Sequence, residues 1–382
     1  MSKQVSTMNG TARGDAQAGA QARAHVHPQG GRPTMKDVAS RARVALKTVS
    51  RVVNGEPGVT AATTSRVLGA IEDLGFRRNE SARLLRTGRT ATLGFIADSW
   101  TDPDQAGVYR GLEDVARAHG YLLYSGSTDS DPVREEVLAL AMCARRVDGL
   151  IISPSLGSHD YLIPEIDAGV AAVFVLRPPA IAAAADTVLA ADTMLAADTV
   201  LAADTVLPDE RGGGRAAVAH LIAQGHRRIG FLGGASDALT GHRNRQLRAG
   251  YAEAMKAAGL TADPAWTTLD AGSLAGAPIT AVLCADRRRT EAALHALAGR
   301  GRLNEGRGRM AVIGFGDFEL ADLFTPGLTV VRYDPVLIGQ TAGELLIRRL
   351  AGDQVSPRSV EVPVRLVPRG SAEFPPPGPE LS

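Results

Sequence analysis

Two rhythms of apolar and polar positions divide the chain. From Thr34 to Gly75 apolar residues recur every three to four positions, the spacing of amphipathic helices. Met35, Val38, Ala39 and Ala42 fall on one face of a first helix, and Thr34 with Asp37 three positions on makes a capping-box-like start, Asp standing in for the usual Glu or Gln. After a break at Arg43 and Val44, a second helix runs from Leu46 to Val53 and turns Val49, Val52 and Val53 inward. Asn54, Gly55, Pro57 and Gly58 stop it. A third helix spans about 61–74, with Val67, Leu68, Ile71 and Leu74 as its expected buried stripe and Gly75 as its C-cap. Three short helices with a tight link between the first two make a helix-turn-helix unit.

Beyond Thr92 the rhythm becomes strand, loop, helix. Strands are expected at 93–97, 121–125, 149–153, 172–176, 229–232, 281–284 and 310–314, and helices at 108–119, 133–145, 214–224, 245–258 and 290–298. Such alternation implies parallel sheets covered by helices on both faces. About 280 residues exceed what one sheet needs, so two α/β lobes are expected: the first about 92–227 and 332–352, the second about 228–331 and 353–371. Residues 1–33 and the Pro-rich 372–382 lack a hydrophobic period and are expected to be disordered. Four near-copies of Ala-Asp-Thr-Val-Leu-Ala precede Pro208; a six-residue unit cannot stack a core, so 185–203 is expected to be a looped-out insertion and the last copy to enter a strand at Thr205–Leu207.

Composition alone is globular, with 45% hydrophobic and 22% charged residues, but the charge is unevenly placed. Residues 32–91 carry twelve Arg or Lys against five Asp or Glu, +7, on a chain whose total is +1, so a basic end sits on an acidic body. That asymmetry suits a polyanionic partner at one end. No run of eighteen apolar residues occurs and the N-terminus has no apolar core segment, so neither a membrane span nor a secretory signal is expected and the cytoplasm is the expected compartment. Cys143 and Cys284 lack metal-ligand spacing and are expected to be reduced thiols; no metal or cofactor is expected. An enzyme on a doubly wound fold is disfavoured: there is no G-x-G-x-x-G after a strand, no Walker lysine loop, no G-x-S-x-G elbow and no H-E-x-x-H.

Thr34 to Arg89 reads TMKDVASRARVALKTVSRVVNGEPGVTAATTSRVLGAIEDLGFRRNESARLLRTGR and continues into LGFIAD. It resembles the DNA-binding region of the lactose/galactose repressor family: a helix, a tight turn, T-V-S-R-V-x-N-G, a third helix and an A-R-x-L-R linker. A recognition helix must present side chains to base edges in the major groove, and Leu46, Lys47 and Arg51 have the right chemistry: a thymine-methyl contact, a donor, and a bidentate guanidinium for guanine. Thr34, Thr48, Ser50, Asn54, Thr60 and Thr63 resemble the family's phosphate-positioning set, although capping and turn roles account for each singly. The resemblance implies a DNA-binding domain at 34–78 and a hinge helix in 79–91. In that hinge Leu85 would wedge into the minor groove beside Asn79, Ala82, Arg83 and Arg86. Arg43 stands where the family usually has Gly, and Ala45 where it has Ser.

In the body, ARAHGY, RRVDGLIISPS, LIAQGHRRIGFLGG, MAVIGFGDFELADLFTPGLTVVRYD and LVPRGS resemble the family's periplasmic-binding-protein-like domain, residues 92–371. The resemblance implies a small-molecule effector, a sugar among the candidates, between two lobes. Asp98, Asp209, Arg245, Asp286 and Asp317 are the pocket candidates, since carboxylates and Arg bind hydroxyls in pairs. Gly316, Ala285 and Leu247 depart from the family's ligand-binding pattern, which leaves open an effector-blind regulator with a degenerate pocket. A small-molecule-binding or enzymatic α/β protein is the remaining alternative. The expectation overall is a repressor that binds a pseudo-palindromic operator as a homodimer or tetramer.

Overall fold

A computed structural model describes residues 32–77, 89–155, 157–180, 201, 203–233, 241–267, 270–274, 276–303 and 308–376. It divides into two compact units, Met1–Arg86 and Thr87–Ser382. In the first, α1 (Met35–Ala42), α2 (Leu46–Val53) and α3 (Ala61–Leu74) close on a small core of Val38, Ala39, Ala42, Val49, Val67, Ala70 and Phe76. The expected stripe of α3 needs one correction: Leu68 is 53% exposed, because Val67 and Ala70, with Ile71 and Leu74 beside them, already fill the side facing α1 and α2.

The second unit holds two sheets. Six parallel strands form the first, in the order β10-β5-β4-β3-β1-β2: β1 (Thr92–Ala97), β2 (Leu122–Ser127), β3 (Gly149–Ile152), β4 (Ala171–Val175), β5 (Asp204–Pro208) and β10 (Ser359–Val362). The second runs β11-β9-β8-β7-β6, with β6 (Ile229–Leu232), β7 (Ala281–Cys284), β8 (Ala311–Phe315) and β9 (Thr329–Arg332) parallel and β11 (Arg365–Val367) antiparallel at the edge. Buried on both faces, β1, β3, β6, β7 and β8 are continuous apolar runs, which is why they were legible.

The expected lobe boundaries shift in two places. Helix α6 (Glu210–Ala223) packs on α7 (Gly241–Ala257) and the second sheet, so the crossing falls after Pro208 rather than near residue 227. Strand β10 pairs with β5, so 359–362 complete the first sheet, and the chain crosses again only before β11. Helix α9 (Pro335–Leu350) lies on the first sheet against α4 (Pro103–Ala118), as expected for 332–352. At that crossing a Cβ on Gly111 would stand 2.1 Å from the Val336 carbonyl oxygen, so glycine sets how closely the two helices approach. The remaining long helices are α5 (Pro132–Ala144) and α8 (Arg287–Ala298).

Of the repeat, only its last copy is described in full: Asp204 opens β5, and its buried carboxylate accepts from Arg349 Nε and Nη2 at 2.8 Å each and from the Arg358 N–H at 2.7 Å. The earlier copies lie outside the described residues, apart from Leu201.

The expected disorder from 372 is corrected as far as 376. Ala372 is buried, Glu373 accepts from the Thr329 hydroxyl and pairs with His220 at 2.7 Å, and Phe374 lies 3.8 Å under the Arg309 guanidinium. The Phe374 carbonyl accepts from His226 Nε2 at 3.0 Å. Burial pulls the pKa of His226 down; His242, half-buried and beside Arg245 and Arg243, is pulled down to about 4 by desolvation and those two charges. A base with a depressed folded pKa contributes stability above its unfolded pKa of about 6.5 and loses it as pH falls. Melting temperature is therefore expected to drop between pH 7 and pH 5, and a scanning calorimetry series showing no drop would contradict these burials.

Both cysteines are free; burial raises the Cys143 thiol to about 11 and lifts that of Cys284 further. Among the described residues no helix is long and apolar enough to cross a membrane, and no cluster of His, Cys, Asp or Glu could hold a metal ion.

Candidate nucleic-acid interface and interlobe cleft

The head presents α2 outward. Leu46 is 44% exposed, Lys47 is exposed, and the Arg51 side chain stands at 44% exposure, while Val49 between them is fully buried and anchors the helix. The supporting polar residues are held by local bonds. The N–H and hydroxyl of Thr34 both donate to the Asp37 carboxylate at 2.7 Å. Thr60 accepts from the Thr63 N–H and caps α3, and its hydroxyl donates to Thr63 Oγ1 at 3.0 Å. The Asn54 amide donates to Ser50 Oγ at 3.3 Å and to Glu56 Oε1 at 3.1 Å, and the other Glu56 oxygen stands 4.0 Å from Arg51 Nε. Ser50, Arg51 and Asn54 thus share one network through Glu56, a residue sequence reasoning passed over as part of a turn. Asn79, Ala82, Arg83, Leu85 and Arg86 lie outside the described residues.

Two departures from the family pattern have visible consequences. Ala45 leaves α2 without a side-chain cap, and Arg43 adopts the left-handed conformation at φ 53°. Such a conformation costs a residue with a Cβ more than glycine. Arg43→Gly is therefore expected to stabilise the head by about 0.5–1 kcal/mol, read as slower amide exchange in α1 and α2; faster exchange would show that the arginine is not strained.

In the body, a cleft of about 420 Å³ opens where the carboxyl ends of strands from both sheets face each other. Such an end is where doubly wound sheets hold ligands. Its first wall carries Asp98 after β1, Asp102, Asp104 and Gln105 at the start of α4, Ser130, and Leu176 and Arg177 after β4. Its second wall carries Arg243 from α7, Asp286 to Arg289 at the start of α8, and Phe315 and Gly316 at the end of β8; Tyr333 follows β9.

The lining is charged but largely matched. Asp98 accepts from Ser130 Oγ at 2.7 Å and from Arg177, and Asp286 caps α8 through the Arg289 N–H while pairing with that guanidinium. Arg243 Nε donates to Glu210 at 2.8 Å and its guanidinium lies 5.7 Å above the Phe315 ring. Burial opposes the Arg243 charge, yet Tyr333, Glu210 and Asp104 outweigh it and raise its pKa. Burial and the neighbouring Asp102 raise Asp104, which accepts a hydrogen bond from the Tyr333 hydroxyl.

Of the five expected pocket residues, Asp98 and Asp286 line this cleft and the other three do not. Asp209 instead caps α6 by accepting from the Gly212 N–H at 2.7 Å. Arg245 is exposed, because two residues along a helix turn the side chain about 200° and it is Arg243 that faces inward. Asp317 lines a second hollow beyond Tyr333 and is held by Arg369 at 2.7 and 2.8 Å. Gln105, Arg243, Arg287 and Tyr333 were missed; only the inward face of α7, set by Asn244, Leu247, Tyr251 and Ala254, carried a signal for one of them.

Residues 34–79 match the model of bacterial regulatory proteins of the lacI family, and residues 218–372 match that of a periplasmic binding protein-like domain. The transcriptional regulator CelR of Thermobifida fusca is 31% identical over 358 residues, which cover 89% of this chain and 98% of CelR. The chain belongs to the lacI family. The family member CytR of Escherichia coli K12, a transcriptional repressor, is 28% identical over 351 residues, covering 88% of this chain and 96% of CytR. A solved CelR–cellobiose complex superposes with a TM-score of 0.58 at 28% identity, over 89% of this chain and all of that one. The lac repressor dimer bound to operator and the anti-inducer ONPF, 23% identical, shares the fold at a TM-score of 0.70 over 90% of this chain and all of that one. This lacI-family chain is accordingly a DNA-binding transcription regulator and not an enzyme.

Proposed function

We propose that this regulator is a cytoplasmic repressor. It binds a pseudo-palindromic operator as a homodimer, reads base edges with Leu46, Lys47 and Arg51, and is modulated by a small molecule in the interlobe cleft. The exposure of those three side chains along one helix of a basic head carries the reading. Thr34, Thr48, Ser50, Asn54, Thr60 and Thr63 are assigned to phosphates, and Leu85, with Asn79, Ala82 and Arg86, to the minor groove. A second copy is supported by apolar surface at two places: Leu122 and Tyr124 on β2, the free edge of the first sheet, with Val133 and Val137 on α5; and Leu320, Leu323 and Phe324 after β8. Clusters of exposed large apolar side chains mark association surfaces.

The test is sedimentation of the full chain with and without duplexes recovered from its own genome by binding. A dimer that protects a two-fold site supports the reading, and a monomer without sequence preference refutes it. Leu85→Ala is expected to reduce bending and specific affinity while leaving the head folded, as measured by circular-permutation mobility shift; unchanged bending removes Leu85 from the interface. An effector-blind regulator is the second reading, favoured by the ion pairs that already hold Asp98 and Asp286 in the cleft.

A further inference from the structure

The way α2 ends sets an acid against its arginine. Gly55 follows the C-cap Asn54 and takes the left-handed conformation at φ 66°, which glycine adopts at little cost. The Gly55 N–H donates to the Val52 carbonyl at 3.2 Å and the Glu56 N–H to the Arg51 carbonyl at 2.9 Å, the paired bonds of a Schellman turn. Such a turn brings its last residue against the third helical residue from the end, and the two are frequently an apolar pair. Here they are Glu56 and Arg51.

Glu56 is the sole Asp or Glu between Asp37 and Glu72, the stretch that carries α2 and both its flanks. An acid in that place is repelled by a polyanion unless a cation holds it. One Glu56 oxygen stands 4.0 Å from Arg51 Nε, and the other accepts from the Asn54 amide at 3.1 Å, which ties the carboxylate in place. The guanidinium also lies against Gly58, where a Cβ would meet Nη1 at 3.5 Å. With the carboxylate on the Nε side, Nη1 and Nη2 remain side by side as the donors that a guanine O6 and N7 accept.

We propose that Glu56 is a specificity-determining residue, a carboxylate that holds Arg51 toward the base edges and away from the phosphates. The inference rests on the reading of Arg51 as a base contact. On the free head the pair is exposed, at 44% and 47%, and adds little to stability. On a duplex the docked surface loses water, so the same two charges act on each other at a lower dielectric. Where a guanine is in reach, Arg51 keeps both Glu56 and the base. Where none is, Arg51 reaches a phosphate only by leaving Glu56 unpaired beside a polyanion, so a non-specific complex carries a penalty that the operator complex escapes.

The experiment measures dissociation constants of the full-length protein on a duplex recovered from its own genome by binding and on a shuffled duplex, over a salt series, for wild type, Glu56→Gln, Arg51→Ala and the double variant. Glu56→Gln keeps an oxygen for the Asn54 amide and removes only the charge, so its thermal unfolding should match that of wild type. It is expected to tighten binding to the shuffled duplex by about three- to tenfold and to steepen the salt dependence there by about one charge, as Arg51 takes up a phosphate. Operator affinity should change by about twofold or less, because Arg51 stays on the base, so discrimination falls. In the Arg51→Ala background Glu56→Gln should leave the ratio of the two constants unchanged, since an interaction disappears once either partner is removed. An equal loss of discrimination with and without Arg51 would show that Glu56 acts only as a negative charge near the duplex, which overturns the proposal. An unchanged ratio in Glu56→Gln, where Arg51→Ala lowers it, also overturns the proposal and leaves Arg51 as a base contact. If Arg51→Ala itself leaves the ratio unchanged, the base-contact reading falls and the proposal falls with it.

Discussion

An Arg51→Ala protein is expected to lose about 1–3 kcal/mol of discrimination between its operator and a shuffled duplex, with little change in the stability of the head. The side chain is 44% exposed and Glu56, its ionic neighbour among the described residues, stands 4.0 Å away, so the folded head gains little from the pair. In the major groove the same guanidinium can place two parallel donors on a guanine edge, a geometry that no phosphate contact replaces. Loss of a phosphate contact would weaken all duplexes alike and flatten the salt dependence by about one charge; loss of a base contact weakens one sequence. The ratio of dissociation constants on operator and shuffled duplex, at fixed salt, separates the two. An unchanged ratio would remove Arg51 from base readout.

The largest expected stability effect lies in the body. Asp204→Ala is expected to cost about 3–5 kcal/mol, because it removes the partner of a guanidinium that is 19% exposed and leaves the Arg358 N–H without its acceptor. Burial alone would raise the Asp204 carboxyl, but the hydrogen bonds from Arg349 and Arg358 outweigh it and hold its pKa below the ordinary value. A carboxylate with a depressed folded pKa contributes its stability above the unfolded value near 4 and loses it as pH falls through the folded value. Wild type and Asp204→Ala should therefore differ most at neutral pH and converge in acid, as followed by urea unfolding. A constant difference down to pH 2 would mean that the ion pair is not its source.

Both residues show what was legible in the sequence. Arg51 sits in a helix whose period and stop signals agree even though its N-cap is an alanine, so its exposure follows from the placement of Val49, Val52 and Val53. Apolar strands buried on both faces were equally plain. β9, β10 and β11 escaped the reading because they lie where the chain passes between sheets, and only pairing partners far away in sequence decide which sheet a strand joins.

The cleft was half legible for a similar reason. Asp98 and Asp286 directly follow apolar strands, so the carboxyl ends of β1 and β7 point to them. Asp209 follows a strand as well, but its carboxylate turns back to cap α6, which spacing does not reveal. Gln105 and Arg287 are marked by unsatisfied atoms, a property that exists only once the two walls face each other. Leu68 shows the opposite failure: an apolar residue at a position beside the stripe was read as core, while the small Ala70 held the contact.

The central claim is that α2 reads sequence. Incubating the full-length protein with a large random duplex pool at about 0.15 M salt, where screening leaves only close charge contacts strong, and sequencing what stays bound tests it most directly. A two-fold-related motif whose half-sites lie about one helical turn apart, and which Arg51→Ala no longer enriches, is the predicted result. A bound fraction with the composition of the starting pool would contradict it.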